Sequence, residues 1–459
     1  MGNKWPEFRL DEITTLIVDC PHSTPEWTDS GVIVLRSNNI RNGALDLATP
    51  SFTTEEGYLE RIKRAIPSEE DIVLTREAPM GEVCIIPKGI KCCLGQRMVL
   101  IRADKSQVIP EYLLYVMQSS YIQHQISWNE GTGTTVSNIR IPNIKALKIP
   151  LPKITIQRTI VSNLLVIDKK IAINTGINQT LEQMSQTLFK SWFVDFDPVV
   201  DNALDAGNPI PEALQSRAEL RQKVRNSTDF KPLPAEIRSL FPSEFEETEL
   251  GWVPKGWTLK SVAKSININP SIKLPKNKIA KYVDMKSLPT QGYSISDIIE
   301  KPYSWGAKFQ NNDTLFARIT PCLENGKTGF VDFLDEKETA FGSTEFIVMR
   351  GTPQVHYLYV ACLARESNFR LHAIQNMVGS SGRQRVQNSC FDSFYIAIPT
   401  PAVMSLFSGK VSSYFDKMYF CNLENKSLTT LRDTLLPKLI SGELSLDDLP
   451  DLTTDTEAA

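Results

Sequence analysis

The sequence predicts an α+β fold. Two pseudo-symmetric modules with mainly antiparallel sheets are joined by two long helices that form an intramolecular antiparallel coiled coil. Three observations predict this. Residues 155–197 carry apolar side chains at steps of three and four (Ile160, Leu164, Ile167, Ile171, then Leu181, Leu188 and Trp192), and residues 402–444 do the same (Phe407, Val411, Tyr414, Met418, Cys421, Leu428, Leu435 and Leu439). That spacing marks a helix with a single apolar seam. The text of one helix also recurs in the other, Asn178-Gln179-Thr180-Leu181 against Asn425-Lys426-Ser427-Leu428, at an offset of about 247 residues. Finally, the segment ahead of each helix is repeated at a similar offset, the signature of a large duplication rather than a short solenoid period. A helix on the order of 55 Å long cannot bury its seam inside its own module; its duplicate is the partner, and the pseudo-two-fold relation of the repeats makes the pair antiparallel. Asn178, opposite or near Asn425, then pins the register at some cost in stability, solvated helix faces being the other reading.

Taken in order, residues 1–152 form the first module. Strands are expected in Gly31–Leu47 (broken by a polar turn from Arg36 to Gly43), in Ile72–Arg76, in Pro79–Ile86 as its hairpin partner, in Cys92–Arg102 and in Ile144–Pro152. Tyr112, Tyr115 or Val116, Ser119, Ile122 and Ile126 share one face of a helix over Ile109–Ile126. The first spacer helix occupies 153–197, a charged connector 198–250, the second module 251–401, the second spacer helix 402–446, and an acidic tail 447–459 is expected to be disordered. The second module repeats the first: Asp313-Thr314-Leu315-Phe316-Ala317-Arg318 matches Asp71-Ile72-Val73-Leu74-Thr75-Arg76, and Gly379–Asn388 matches Gly131–Asn138. Loops differ in length while scaffold strands persist.

With 459 residues, 41% hydrophobic and 22% charged, the chain has ordinary globular composition, and no apolar run approaches the ~18 residues of a membrane helix. The eight cysteines form no C-x-x-C pair, so reduced thiols in a cytoplasmic protein are expected. Residues 1–150 hold 16 Lys and Arg against 18 Asp and Glu, whereas residues 251–400 hold 18 against 12, so only the second module shows the basic footprint of a nucleic-acid reader.

Catalytic patterns fail one after another. Asn325-Gly326-Lys327-Thr328 ends like a P-loop, but Pro321 stands where the first glycine belongs. Gly131-Thr132-Gly133 precedes no long apolar helix, as a nucleotide-binding loop would. Asn208-Pro209, Asn269-Pro270 and Asp197-Pro198 lack the second proline of an adenine-methylase tetrapeptide. Cys84, Cys92 and Cys93 are close, but His22, His124, His356 and His372 are not at metal spacing, and no G-x-S-x-G occurs. The chain reads as a non-enzyme.

The run Leu188-Phe189-Lys190-Ser191-Trp192-Phe193-Val194-Asp195-Phe196-Asp197-Pro198 closely resembles a segment of the DNA-specificity (S) subunits of type I restriction-modification systems. So does Leu240–Phe245 leading through Glu249-Leu250-Gly251 to Pro254-Lys255-Gly256-Trp257, with weaker matches at Leu35–Gly43, Asp71–Arg76 and Ile149–Pro152 followed by Gln157 and Ile160. The resemblance covers nearly the whole chain. It departs after the second module, where Ala402-Val403-Met404-Ser405 replaces the Gln-x-x-Ile pattern. The resemblance implies that each module is a target-recognition domain reading one half of a bipartite site on double-stranded DNA. It implies a chain that is monomeric within its complex and binds no cofactor, with two methyltransferase (M) subunits and restriction/translocase (R) subunits as partners. S-adenosylmethionine, ATP and magnesium belong to those partners. The aromatic end Phe189, Trp192 and Phe193 is then a junction that docks the connector or a methyltransferase subunit. The alternative is a repeated coiled-coil scaffold that binds protein partners.

Base reading needs arginines and short polar side chains on loops that reach the major groove. Ser380, Ser381, Arg383, Gln384 and Arg385 are candidates in the second module, and Thr132, Thr134 and Thr135 are their counterparts in the first. Arg36, Asn38, Asn39 and Arg41 form another candidate loop, and Arg76 and Arg318 a further site. For each one a turn or a surface ion pair is an equal reading.

Overall fold

The structure, a computed structural model, describes residues 5–129, 138–228, 230–380 and 382–444. The expected tail, 447–459, lies outside them. The chain divides into two compact units, one built from residues up to Ala172 together with those from Asn425 onward, the other from Ile173–Glu424. The dividing line falls inside both long helices, Ile154–Phe189 and Pro401–Ser441, so each unit owns one end of each helix.

In the first unit, a four-stranded antiparallel sheet runs in the order Thr14–Asp19, Met98–Ala103, Ile72–Thr75, Val83–Ile85. A three-stranded sheet places Val32–Leu35 between Ser51–Thr53, antiparallel, and Cys92–Leu94, parallel. The expected single strand over Cys92–Arg102 is therefore two strands in two sheets. The break is at Gly95–Arg97, where Arg97 takes a φ of 68°. The expected single helix over Ile109–Ile126 also breaks, into Pro110–Gln118 and Ser120–Trp128, because the Ser119 hydroxyl accepts the Ile122 N–H and starts a new helix. Ile160 and Leu164 of the first long helix and Leu436, Leu439 and Ile440 of the second share one core with Tyr112, Leu113 and Val116. The Asp168 carboxylate accepts the Tyr115 hydroxyl at 2.6 Å and an Arg432 N–H at 3.1 Å, tying module and both helix segments together. Gln157 is fully buried: it accepts the Ile109 N–H and donates to the carbonyls of Gln107 and Pro152, which ties the start of the helix to the module.

The second unit repeats the plan. Its four-stranded antiparallel sheet has the order Asn267–Ile268, Phe346–Arg350, Thr314–Ala317, Thr328–Phe330. A second sheet orders Ile299–Pro302, Ile279–Val283, Ala340–Gly342, Ala307–Phe309, again with one parallel pair. The helix pair Tyr357–Arg365 and Ser367–Gln375 breaks at Glu366, whose carboxylate caps the Phe369 N–H as Ser119 caps its own helix. The duplication extends to atoms. Arg102 clasps Asp71 through two N–H bonds of 2.7 Å, and Arg350 clasps Asp313 in the same way. Each carboxylate also accepts a backbone N–H three residues ahead of it, Ser68 and Gln310 respectively. Both modules carry one cis peptide, Ala78–Pro79 and Thr320–Pro321.

The helix segments of the second unit pair antiparallel through polar rungs: Asn174 donates to Glu424 and Asn178 to Asn422, both at 2.7 Å. The partner of Asn178 is thus Asn422, about one turn before the Asn425 that the repeat suggested. The first long helix ends in a π-helical turn, Lys190–Val194, and Phe196 reverses the chain in the left-handed region at φ 54° before the helix Asp197–Ala206. This helix packs on Gln215–Arg225 through a ladder: Arg217 pairs with Asp197, Arg221 with Asp201 and Arg225 with Asp205, and Arg238 also reaches Asp205.

Asp313 is fully buried and Arg350 is 28% exposed, so Asp313→Ala leaves a guanidinium without its partner and should cost about 3 kcal/mol in urea unfolding of the full chain. Asp332 lies in a crevice of about 200 Å³ with Glu182, Tyr293, Phe415 and Met418, and burial pushes its carboxyl up to about 6. A carboxyl whose folded value lies above the unfolded one favours folding most at low pH, and that contribution is lost as pH rises through about 6. Asp332→Asn should therefore raise the thermal midpoint at pH 8 and leave it nearly unchanged at pH 4; an equal effect at both would contradict the burial.

Candidate nucleic-acid interface

In the first module the strand Val32–Leu35 ends at Arg36, and a 3-10 turn, Ser37–Asn39, leads into a tight hairpin pairing Ile40–Arg41 with Ala44–Leu45. Its two-residue turn, Asn42-Gly43, has φ of 51° and 81°, the doubly left-handed turn that Asn-Gly favours. Asn39 is the pin of this loop and is 3% exposed. Its side-chain oxygen accepts the Arg36 N–H at 2.9 Å and its amide donates to the Asp46 carbonyl at 3.0 Å. Arg36, Asn38 and Arg41 are exposed, and among the described residues none is paired with a carboxylate. Trp27, which no sequence pattern marks, lies against the Arg36 guanidinium. Only its position ahead of a short turn-rich stretch could have drawn notice to it.

In the second module a hairpin pairs Met377–Val378 with Arg385–Val386, and Gly379, Ser380 and residues 382–384 belong to its tip. Arg383 donates its backbone N–H to the Ser380 carbonyl, which folds the tip, and its side chain is exposed. Ser380 is exposed beside it. Gln384 exchanges backbone bonds with Thr320, accepting the Thr320 N–H at 3.1 Å and donating to the Thr320 hydroxyl at 3.2 Å, which anchors the tip to the sheet.

The remaining arginines are engaged inside the fold. Arg76 donates to Asp19 at 2.7 Å and to the Ile139 carbonyl at 3.0 Å. Arg318, its repeat, donates to the Val386 carbonyl at 2.7 Å, while its Nε is buried. Arg385 forks onto the Glu345 carboxylate at 2.8–3.0 Å, and that hydrogen bond holds its guanidinium above the ordinary value. The structure thus sorts the expected contact residues: Arg36, Asn38, Arg41, Ser380 and Arg383 are presented to solvent, whereas Asn39, Arg76, Arg318 and Arg385 serve the scaffold. Thr132, Thr134, Thr135 and Ser381 lie outside the described residues.

The aromatic junction is internal. Phe189, Trp192 and Phe193 are 1%, 2% and 5% exposed, packed against Phe407, Tyr359 and Trp257, with the Trp192 ring edge-on to Phe241 of the connector at 5.0 Å. Of the two partners expected for it, the connector is the one the rings meet within this chain. Among the described residues no group of three His, Cys, Asp or Glu side chains gathers as metal ligands. Burial pushes the thiols of Cys84, Cys92 and Cys362 up to about 12, which keeps them protonated.

Residues 2–183 match the family model described as type I restriction modification DNA specificity domain. The HindI specificity subunit of Haemophilus influenzae is 26% identical over 374 residues, 76% of this chain and 81% of its own length. The MjaIX specificity subunit of Methanocaldococcus jannaschii is 25% identical over 86% of this chain and 82% of its own. Over these spans the chain is similar to specificity subunits of type I restriction enzymes. A solved S subunit from M. genitalium aligns over 98% of this chain and 97% of its own at 16% identity, with a TM-score of 0.48.

The division between presented and engaged arginines has a direct consequence for stability. Arg76→Ala removes an ion pair and a carbonyl bond and should cost about 2 kcal/mol. Arg41→Ala, at an exposed position, should stay within about 0.5 kcal/mol of the parent in the same urea titration. Equal losses would show that the exposed loop carries the fold.

Proposed function

We propose that this chain is the DNA-reading subunit of a type I restriction-modification assembly and that each module reads one half of a bipartite site. One observation carries the reading: two copies of a scaffold, built on the same internal ties, present different side chains to solvent. The forks Asp71–Arg102 and Asp313–Arg350 are common to both. The positions outside the scaffold are not: half-buried Asp284 follows the strand Ile279–Val283 where exposed Arg36 follows Val32–Leu35, and an exposed arginine, Arg383, stands on the second hairpin. Readers of two unlike half-sites require such an arrangement, since phosphate contacts position a protein and base contacts specify it.

In this reading the chain performs no chemistry. Two methyltransferase subunits supply S-adenosylmethionine-dependent adenine modification, and restriction/translocase subunits supply ATP- and magnesium-dependent cleavage, all acting on DNA in the cytoplasm. Apolar side chains left open on the helix segments of the second unit, Ile173 at 58%, Phe420 at 62% and Leu423 at 44% exposure, support a docking role for those segments. No helix of the described residues is long and apolar enough to cross a membrane. Sequencing of methylated adenines in cells with and without this chain tests the reading, and an unchanged pattern would refute it. Binding of the assembled complex to DNA should weaken steeply with salt, because each phosphate contact releases counterions. Arg383→Ala should relax recognition in a single half-site; equal weakening of both would remove Arg383 from base reading.

A further inference from the structure

We propose that Trp27 is a positioning residue for recognition in the first module: its ring holds the Arg36 guanidinium so that the free edge faces a guanine. This inference rests on the DNA-reading function proposed above and names one contact within it. The Arg36 guanidinium carbon lies 5.1 Å from the centre of the Trp27 ring, and the ring is 46% exposed. A guanidinium over an aromatic ring uses its face for the stack and keeps its N–H donors in plane around the edge. One of these, on Nη1, leans toward the Ser51 hydroxyl at 3.4 Å. The other edge has no acceptor among the described residues. A planar pair of donors matches the O6 and N7 acceptors that guanine shows in the major groove.

Both halves of the stack are held by backbone. On the Trp27 side, the Thr28 N–H donates to the Phe52 carbonyl at 3.1 Å and the Thr28 hydroxyl to the Ser30 carbonyl at 2.9 Å. Gly31 follows at φ 135°, where an added Cβ would sit 2.4 Å from the Thr53 carbonyl oxygen. On the Arg36 side, Asn39 holds both the N–H and the carbonyl of Arg36 at 2.9 Å. Arg41 on the same loop is likewise exposed without a carboxylate partner, but among the described residues no ring lies against it; other nearby cations are employed. Arg61 is buried on the carbonyls of Leu94, Ser23 and Pro21, Arg97 pairs with Glu77, and Lys91 pairs with Glu55. Arg36 therefore stands out in this module as a cation set against a ring with no acid to neutralise it. In the second module the corresponding residue is Asp284, whose carboxylate accepts the Lys286 N–H, so the device belongs to one half-site alone.

The test is methylated-adenine sequencing of cells carrying the full complex with the parent chain, Trp27→Ala, Trp27→Phe or Arg36→Lys. Trp27→Ala should relax one G·C position of one half-site by about tenfold and leave the other half-site unchanged. Trp27→Phe should restore most of the discrimination, since it keeps a ring face. Arg36→Lys should reproduce the relaxation, since an ammonium lacks the planar fork. Recognition unchanged in Trp27→Ala would overturn the proposal. So would uniform weakening of all sites with a salt slope lower by about 1, which marks a phosphate contact. A parent chain that leaves the methylation pattern unaltered would instead remove the function on which the proposal rests.

Discussion

A helix of 36 or 41 residues with a single apolar seam has no means of covering that seam itself, and the rest of this structure follows from how it is covered. In each unit the cover comes from a segment of the other long helix and from the helix pair of the adjoining module. Apolar contact alone would let two such helices slide by a turn. The polar rungs oppose sliding, because a buried amide or carboxylate that loses its partner keeps its desolvation cost. Asp168 is the strictest of them, bound by Tyr115 from the module and Arg432 from the second helix.

The modules use a second layer of ties that never reaches solvent. Each begins its sheet with a carboxylate that takes an arginine fork and a backbone N–H. Each has a cap at the break in its helix pair, and each places one arginine on a backbone carbonyl: Arg76 on Ile139 and Arg318 on Val386. A close relative of these ties is Arg365, which donates to the carbonyls of Pro289, Thr290, Gly292, Gly326 and Thr328 and so holds three turns of the second module with one side chain. Specific recognition needs such rigidity, since a side chain that must be ordered on binding spends affinity on its own entropy.

The helices and the duplication were legible in the sequence because their signal is local and periodic. The antiparallel sheets were legible as strands but not as sheets. Cys92–Leu94 and Met98–Ala103 read as one apolar run, and only their different partners, Val32–Leu35 and Ile72–Thr75, separate them. The helix break at Ser119 was hidden by apolar spacing that continues across it. Among contact residues, every arginine in a polar loop looked alike. What distinguishes Arg36 from Arg76 or Arg385 is the presence of Asp19 or Glu345 across the fold, 57 and 40 residues away in the chain. The structural role of Asn39 was hidden for the same reason, as its acceptor and donor partners are backbone groups that only the folded loop brings near.

The connector is built on a different principle from either module. Its two helices meet through carboxylates at Asp197, Asp201 and Asp205 and arginines at Arg217, Arg221 and Arg225, one rung per helical turn. Removing or adding one residue in either helix would rotate everything beyond it by about 100° and misplace every later rung together. Substitution at a single rung leaves the others aligned. The connector is thus tolerant of changes in residue type and intolerant of changes in length, the reverse of the module loops, whose offsets between the repeats vary. A length change is therefore absorbed by the module loops, where no periodic ladder counts residues, and not by the segment between the modules.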